Sequence, residues 1–219
     1  MALEIKICGL TTPETLEAAL GTGADMIGMV FFPPSPRHVD LATAGALAAR
    51  ARGKARIVAL SVDAEDAALA EIIAAARPDL LQLHGHESPE RVAAIRARFG
   101  LPVMKAIGIA EPGDLEALSA FAPAVDSFLL DAKPPPGAAT PGGNAAAFDW
   151  SLTAGRAIPR PWLLAGGLTP ETVARAIRQS GAPAVDVSSG VERARGVKDP
   201  ARIAAFIAAA RRVLKPESA

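Results

Sequence analysis

Two apolar runs of this chain end on a residue that can move a proton. Cys8 ends the run Leu3–Cys8, and Asp131 ends the run Val125–Asp131. A carboxyl group partly removed from water is a general acid near neutral pH, and a thiolate is a base or nucleophile where a positive charge lowers the thiol pKa. Lys6 shares the strand parity of Cys8, although a lysine at a strand end more often reaches solvent. We expect acid–base chemistry, against the simpler interpretations of a buried structural thiol and a loop-closing carboxylate.

Further polar residues are placed to bind a substrate. Gln82 and His84 lie two residues apart at the end of the apolar run Leu80–His84. Asp186 and Ser188 lie two residues apart at the end of the apolar run Val185–Ser188. Residues two apart share one face of a strand, so the members of each pair are expected to point the same way. Arg37 follows the apolar run Met26–Phe31, in a loop where a guanidinium can hold a carboxylate through two hydrogen bonds. The alternative for Arg37 is an ordinary solvated side chain.

Two turns of small residues follow the last two apolar runs. They contain Gly166 and Gly167 in the first turn, and Ser188, Ser189 and Gly190 in the second. Backbone N–H groups exposed by glycine next to a helix start bind anions, and (β/α)8 barrels bind phosphate after their seventh and eighth strands. Each turn alone is a weak signal, but together they predict a phosphate site.

The histidines and the cysteine form no recognisable metal-binding pattern. The chain has one cysteine and three histidines, His38, His84 and His86, without the spacing of a zinc site. We therefore expect no metal, and a single cysteine excludes an intramolecular disulfide.

These residues need a scaffold that brings the ends of eight apolar runs to one edge. The runs are Leu3–Cys8, Met26–Phe31, Ile57–Val62, Leu80–His84, Val103–Ile107, Val125–Asp131, Trp162–Ala165 and Val185–Ser188. Most are separated by segments of helical periodicity, such as Pro13–Leu20, Ala64–Ala76, Pro89–Phe99 and Pro170–Gln179. Division of 219 residues by eight leaves about 27 per unit, near the compact end for such a barrel. The sequence predicts one α/β domain over residues 1–219, a (β/α)8 TIM barrel with its active face at the carboxyl ends of the strands.

The residues between the runs support this regular count. Thr12, Ser88 and Thr169 each precede a proline and a glutamate, which is typical of a capped helix start. The stretch Lys133–Asn144 breaks the rhythm because it is rich in proline and glycine. A mobile loop over an active site fits this stretch better than a hinge between domains. A short sixth helix is expected to begin around Phe148–Trp150.

Composition excludes several classes of protein. Half of the residues are hydrophobic and 23 basic residues balance 23 acidic ones, so a basic nucleic-acid-binding surface is not expected. The longest apolar runs, about six to eight residues, are far shorter than the roughly 18 that a membrane span needs. The amino terminus lacks the pattern of a signal peptide. We expect a cytoplasmic protein, either a monomer or a homodimer, without nucleic-acid or membrane partners.

Eight sequence blocks jointly resemble the phosphoribosylanthranilate isomerase family. They are Lys6–Gly9, Gly23–Gly28, Phe32–Arg37, Gln82–Gly85, Leu129–Asp131, Phe148–Trp150, Leu164–Leu168 and Val185–Glu192. The blocks follow the order of the family and extend over nearly the whole chain. The resemblance implies a (β/α)8 barrel that acts in tryptophan biosynthesis on a small phosphosugar, without a cofactor or metal.

The resemblance also implies roles for single residues. Asp131 would be the general acid that opens the ribose ring, and Cys8 would be the general base that removes the C2′ proton of the resulting iminium. Arg37 would hold the anthranilate carboxylate, and Asp186 would orient the amino group or the sugar. Gln82 and His84 are expected to contact the substrate, while the two glycine turns would take the phosphate.

The chain departs from the family pattern after the sixth run. The family usually has Gly-Gly-Thr-Gly where this chain has Gly142-Gly143-Asn144-Ala145, and Gly143 is the residue expected to contribute to the phosphate site. Ala132 also replaces the small hydroxyl residue that often follows the acid.

Two other functions compete with this prediction. One is another phosphosugar barrel, such as a ribulose-phosphate epimerase, a thiamine-phosphate synthase or an indole-glycerol-phosphate synthase. The other is a catalytically inactive module that binds a phosphosugar, which would have no need for a facing acid and base.

Overall fold

The structure is a computed structural model that describes residues 3–134, 137–138 and 140–213. The ends of the predicted 1–219 domain, and positions 135, 136 and 139 of the Pro/Gly-rich stretch, lie outside the described residues.

Eight parallel strands close into a barrel in chain order. The strands are β1 (Glu4–Cys8), β2 (Met26–Phe31), β3 (Arg56–Ser61), β4 (Leu80–Leu83), β5 (Val103–Ile109), β6 (Ser127–Ala132), β7 (Trp162–Leu164) and β8 (Ala184–Val187). These bounds agree with the predicted runs to within two residues. The helices are α1 (Pro13–Gly21), α2 (Leu41–Ala51), α3 (Asp66–Ala76), α4 (Pro89–Phe99), α5 (Ala117–Phe121), α6 (Val173–Ser180) and α7 (Pro200–Arg212). The predicted (β/α)8 TIM barrel is confirmed.

Two of the three predicted helix caps are present. The hydroxyl oxygens of Thr12 and Ser88 each accept a hydrogen bond of 3.3 Å from a backbone N–H of the first helical turn. Pro13 and Pro89 stand at the first helical positions, where the missing N–H is of no consequence.

The third predicted start is wrong by three residues, because α6 begins at Val173 and not at Pro170. The Thr169 hydroxyl accepts from the backbone N–H of Glu171 and Thr172, while the Thr172 hydroxyl accepts from the N–H of Thr169 at 2.9 Å. These local side-chain bonds make a turn that replaces the first turn of the helix.

The connection between β6 and β7 carries a 3-10 helix, Trp150–Thr153, at the position of the expected sixth helix. The Pro/Gly-rich stretch lies in this connection, which joins neighbouring strands of the same barrel. Trp150 fixes the end of this connection that is nearer β7, because Nε1 of Trp150 donates to the carbonyl of Gly166 at 3.2 Å. The described residues of the stretch are therefore part of a connection at the carboxyl ends of the strands.

The connection after β8 contains a hairpin that the sequence did not predict. A 3-10 turn at Ser189–Val191 leads into antiparallel β9 (Glu192–Ala194) and β10 (Val197–Lys198), which precede α7. This hairpin carries two charged residues of the site described below.

An apolar layer fills the barrel below its carboxyl end. It includes the buried side chains of Met26, Val58, Leu80, Met104, Leu129 and Leu163, one from each of six strands. Leu129 lies two residues before Asp131 on β6, so both side chains face the barrel interior at successive levels. Polar groups at the strand ends therefore lie above an apolar layer built mainly from these six strands.

Candidate active site

Cys8 and Asp131 line one cavity at the carboxyl ends of the strands, with an empty volume of about 470 Å³. Cys8 ends β1, Asp131 lies one residue before the end of β6, and these two strands are three positions apart around the closed barrel. The same cavity is lined by Arg37, His84, Asp186 and Ser188. The tertiary structure thus brings most of the predicted catalytic and substrate-binding residues to one mouth.

The thiol of Cys8 is almost completely buried, with 4% of the residue exposed. Burial raises the pKa of this thiol, and the negative charge of Asp186 raises it further. The positive charges of Lys6 and Lys198 oppose this effect without cancelling it. The pKa of the Cys8 thiol is therefore above its ordinary value.

Lys6 points into the barrel and is fully buried, which settles the orientation that the sequence left open. Its Nζ donates to Oδ1 of Asp186 at 2.9 Å, and the two residues are direct partners in the β1–β8 register. Burial lowers the pKa of Lys6, but the charges of Asp186 and Cys8 raise it by more, so the net shift is upward. Lys6 is therefore an ammonium group beneath the mouth.

Asp131 lies beside His84. Its Oδ1 accepts from the backbone N–H of Ala132 at 2.8 Å, and its Oδ2 is 3.6 Å from Nε2 of His84. The Gln82 side chain is 3.1 Å from the other ring nitrogen of His84. Gln82 is fully buried and does not line the cavity, so it holds the His84 ring from behind and is not placed to touch a ligand.

Arg37 is bound along one edge by Glu192. Nε and Nη2 of Arg37 donate to the two carboxylate oxygens of Glu192 at 2.7 and 3.0 Å, and Nη2 also donates to the carbonyl of Gly143 at 3.2 Å. Nη1 lies against Gly143, where a Cβ would be 2.5 Å from it. This bidentate pair orients the guanidinium at the cavity wall and leaves Nη1 without a hydrogen bond among the described residues.

Glu192 and Lys198 are functional candidates that the sequence reasoning missed. Nζ of Lys198 donates to Glu192 at 2.7 Å and to the backbone and hydroxyl oxygens of Ser188 at 2.9 and 3.1 Å. Burial raises the pKa of Glu192, but hydrogen bonds from Arg37 and Lys198 outweigh it and hold this pKa below its usual range. Burial lowers the pKa of Lys198. A search for charged residues near the Ser188 turn would have flagged both, but only the hairpin brings them together.

An apolar wall forms one side of the cavity and was also missed. It consists of Val30, Phe32, Leu60 and Val62, which stand at or just beyond the ends of β2 and β3. The signal was visible in the sequence as apolar residues that continue to the ends of those runs. Such a wall fits a flat apolar group beside the Arg37 guanidinium.

A second cavity, of about 340 Å³, shares Asp131, Gly143, Asp186 and Ser188 with the first. Its remaining walls include Ser189 and both glycines of the turn after β7. Gly166 and Gly167 have φ of +81° and +66°, a conformation that side chains disfavour. Gly190 does not line this cavity; its carbonyl accepts from the Arg202 guanidinium at 3.1 and 3.2 Å.

The loop after β6 packs against Asp131 and His84. A Cβ at Gly142 would be 2.8 Å from Nε2 of His84 and 2.9 Å from Oδ2 of Asp131. Asn144 donates to the carbonyl of Thr140 at 2.9 Å and so ties the loop to itself. Ala145 keeps a φ of +56°, so this chain retains the left-handed backbone at the position where the family usually has glycine.

Neither a metal cluster nor a membrane span is found in the described part of the chain. Among residues 3–134, 137–138 and 140–213, no group of three or more His, Cys, Asp or Glu side chains is arranged to hold a metal ion. Within the same ranges, no helix has the length and apolar character required to cross a bilayer.

The fold and the site define a (β/α)8-barrel enzyme that places a thiol, a carboxyl group and an arginine beside a glycine-lined pocket. The chain belongs to the N-(5′-phosphoribosyl)anthranilate isomerase family, whose model matches residues 5–209. It is therefore an enzyme of the isomerase class.

Relatives of known sequence and structure agree with this assignment. The N-(5′-phosphoribosyl)anthranilate isomerase of Cereibacter sphaeroides ATCC 17023 is 58% identical over 209 residues, covering 95% of this chain and 99% of the relative. A crystal structure of monomers generated from the dimeric phosphoribosylanthranilate isomerase of Thermotoga maritima superimposes on this chain with a TM-score of 0.81. The two chains are 33% identical, and the match covers 95% of this chain and 98% of that one. Another isomerase structure, with a TM-score of 0.82, 33% identity and the same coverage, holds reduced 1-(o-carboxyphenylamino)-1-deoxyribulose 5-phosphate.

Proposed function

We propose that this protein converts N-(5-phosphoribosyl)anthranilate into 1-(2-carboxyphenylamino)-1-deoxyribulose 5-phosphate, an Amadori rearrangement in tryptophan biosynthesis. The observation that carries the proposal is the pair of adjoining cavities at the mouth. Arg37, Cys8, Asp131 and the apolar wall from β2 and β3 line the first cavity. The glycine-lined pocket of β7 and β8 adjoins it and shares Asp131 and Asp186 with it. A substrate that carries an aromatic carboxylate on one side of its sugar and a phosphate on the other matches these two cavities.

The binding roles follow from the chemistry of the walls. Nη1 of Arg37 binds the anthranilate carboxylate, while the ring packs against the apolar wall. Backbone N–H groups of the turns at Gly166–Gly167 and Ser188–Ser189 bind the phosphate, together with Gly143. Asp186 orients the amino group or the sugar from the boundary of the two cavities. Binding the remote phosphate orients the reacting end of the sugar.

The reaction needs one acid and one base. Asp131 protonates the ribose ring oxygen, the bond from C1′ to that oxygen breaks, and the ring opens to an iminium. The Cys8 thiolate then removes the C2′ proton, and its electron pair forms the C1′–C2′ double bond of an enolamine, which tautomerises to the ketone. Each proton transfer is expected to contribute roughly 10²- to 10⁴-fold to the rate. Atoms and oxidation level are conserved over the whole molecule, so the chemistry requires no external oxidant or reductant.

Turnover of N-(5-phosphoribosyl)anthranilate by the wild type, Cys8→Ala and Asp131→Asn tests this proposal. Activity is expected to fall by at least about 10²-fold in each variant, while each keeps most of its affinity for the product. Unchanged rates in both variants would refute the assigned acid and base. A wild type that binds the product without any turnover would instead indicate a phosphosugar-binding module.

A further inference from the structure

Lys6 is a fully buried charge inside the barrel, directly below the proposed base. It precedes Cys8 by two residues on β1, so both side chains lie on the inner face of the strand. Its Nζ is 2.9 Å from Oδ1 of Asp186, and its side chain is 0% exposed. A buried ion pair costs free energy that an apolar pair of similar volume would not, so its presence calls for a reason.

A second buried pair in the same barrel shows what a structural role looks like. Nζ of Lys105 donates to the carbonyl of Gly85 at 2.7 Å and to Glu87 at 2.8 Å. Glu87 in turn accepts from the backbone N–H of Asp63 and Gly85. This pair ties the loops after β3 and β4 together through backbone groups.

The Lys6–Asp186 pair does not tie a loop in this way. Both residues lie in adjacent strands that are already joined by the sheet, and Asp186 opens onto both cavities of the mouth. The arrangement therefore presents charge to the site.

Three charged groups act on the Cys8 thiol, each from a different strand. They are Lys6 on β1, Asp186 on β8 and Lys198 on β10. Lys198 donates to Glu192 and to Ser188, and Glu192 is also paired with Arg37. Of the two lysines, Lys6 has the larger effect on the pKa of the thiol through its charge, and it shares the inner face of β1 with Cys8 two residues away.

We propose that Lys6 is a positioning residue of the isomerase site, whose buried ammonium stabilises the Cys8 thiolate while Asp186 holds that ammonium in place. The inference rests on the proposed function, in which Cys8 is the base. When the thiolate takes the C2′ proton it becomes a neutral thiol, and Lys6 remains an ammonium paired with Asp186 throughout. Lys6 therefore makes the base available without giving or taking a proton.

The composition of the chain allows a direct test. It has one cysteine and no tyrosine, so the rise in ultraviolet absorbance between neutral and alkaline pH, with Cys8→Ala as blank, reports the thiolate of Cys8 alone. The titration is run on the folded wild type, on Asp186→Asn, and on the double variant Lys6→Met/Asp186→Asn. The matched control is Lys105→Met/Glu87→Gln, which removes the other buried pair.

The midpoint is the pH at which half of the Cys8 thiol is ionised. We expect it to be lower in Asp186→Asn than in the wild type, and higher in Lys6→Met/Asp186→Asn than in the wild type. Removal of Asp186 takes a negative charge from the thiol, whereas the second substitution also removes the positive one. The two variants are expected to differ by about one to two pH units, and the control is expected to titrate as the wild type. A merely structural role for Lys6 would not move the midpoint in opposite directions.

A double variant that titrates at or below the wild-type midpoint overturns the inference. If the double variant does not fold, the single variant Asp186→Asn provides the test. A midpoint of Asp186→Asn at or above that of the wild type would also overturn the inference. The titration requires no turnover, so the outcomes separate. The expected order in a protein without isomerase activity would refute the proposed function and not the effect of Lys6 on the thiol.

Discussion

Gly28 on β2 leaves the space that the sulfur of Cys8 on β1 occupies. The two residues are direct partners in the β1–β2 register, and a Cβ at residue 28 would be 2.8 Å from Sγ of Cys8 and 3.3 Å from its Cβ. Any side chain at residue 28 would therefore push the thiol away from its position in the mouth. The proposed base depends on the absence of a side chain on the neighbouring strand.

Gly28→Ala is therefore expected to lower kcat/KM by about 10- to 100-fold, because a displacement of about 1 Å in a reacting group has effects of this size. Steady-state turnover and circular dichroism would show lost activity with an intact fold. Gly113→Ala is the matched control, since a Cβ at residue 113 would meet no atom within 4 Å. Equal activity of Gly28→Ala and the wild type would show that the position of the thiol is not critical.

Arg37→Lys keeps a positive charge but removes the fork that binds Glu192 at 2.7 and 3.0 Å, and with it Nη1, the proposed contact of the carboxylate. KM and the product Kd are expected to rise by about 10- to 100-fold, which corresponds to the loss of a charged hydrogen bond of roughly 1.5 to 3 kcal/mol. Affinity for ribulose 5-phosphate, which lacks the carboxylate and the ring, is expected to change much less. Calorimetry with both ligands measures the difference.

The exposed Arg56, paired with Glu4 at 2.7 Å, gives the control Arg56→Lys, for which both affinities are expected to stay constant. Equal losses for the two ligands in Arg37→Lys would count against a carboxylate contact at Arg37.

The raised pKa of the Cys8 thiol predicts a stability difference at alkaline pH. The unfolded thiol ionises near pH 8.5, below the pKa in the folded state, so the unfolded chain binds fewer protons in the interval between them. The free energy of unfolding of the wild type should therefore fall relative to Cys8→Ala as pH rises above about 8.5, with a slope of at most about 1.4 kcal/mol per pH unit. Below that pH the difference should be constant.

Urea denaturation of both proteins between neutral pH and pH 10 measures this difference. A gap that stays constant across the whole range would mean that burial does not perturb the thiol.

Ala145 holds a φ of +56° in the loop after β6, and the residue is exposed. Ala145→Gly removes the strain of this left-handed backbone, and the relief exceeds the entropy that glycine adds to the unfolded chain. We expect a gain of about 0.5 to 1 kcal/mol, seen as a rise in Tm of about 1 to 3 °C. The exposed Ala110 lies outside this backbone region, so Ala110→Gly should not stabilise the protein. A lower Tm for Ala145→Gly would show that the loop bears no strain there.

Local pattern predicted most of the scaffold, and its failures have local causes. Eight apolar runs predicted eight strands because strands covered on both faces are apolar almost throughout. The start of α6 was misplaced because Thr169 and Thr172 bond to nearby backbone in place of beginning the helix. The β9–β10 hairpin was missed because each strand is too short, three and two residues, to show a period.

The candidate site divides in a similar way. Cys8 and Asp131 were predicted from their places at strand ends, because barrel strands present their carboxyl ends to the mouth. Gln82 was expected to contact the substrate, whereas the structure buries it behind His84. Strand parity correctly places both side chains on one face, but it does not give the depth at which each one lies.

The sequence by itself determined the order of strands and helices, the closed barrel, the family and the residues that end each strand, since periodicity and motif spacing are local properties. Tertiary structure alone decided which of these residues act on one another. Lys6 and Asp186 are 180 positions apart, and Arg37 and Glu192 are 155 apart. Closure of β8 onto β1 joins the first pair, and the hairpin after β8 joins the second. Electrostatic effects depend on distance and burial in space, which no local pattern records.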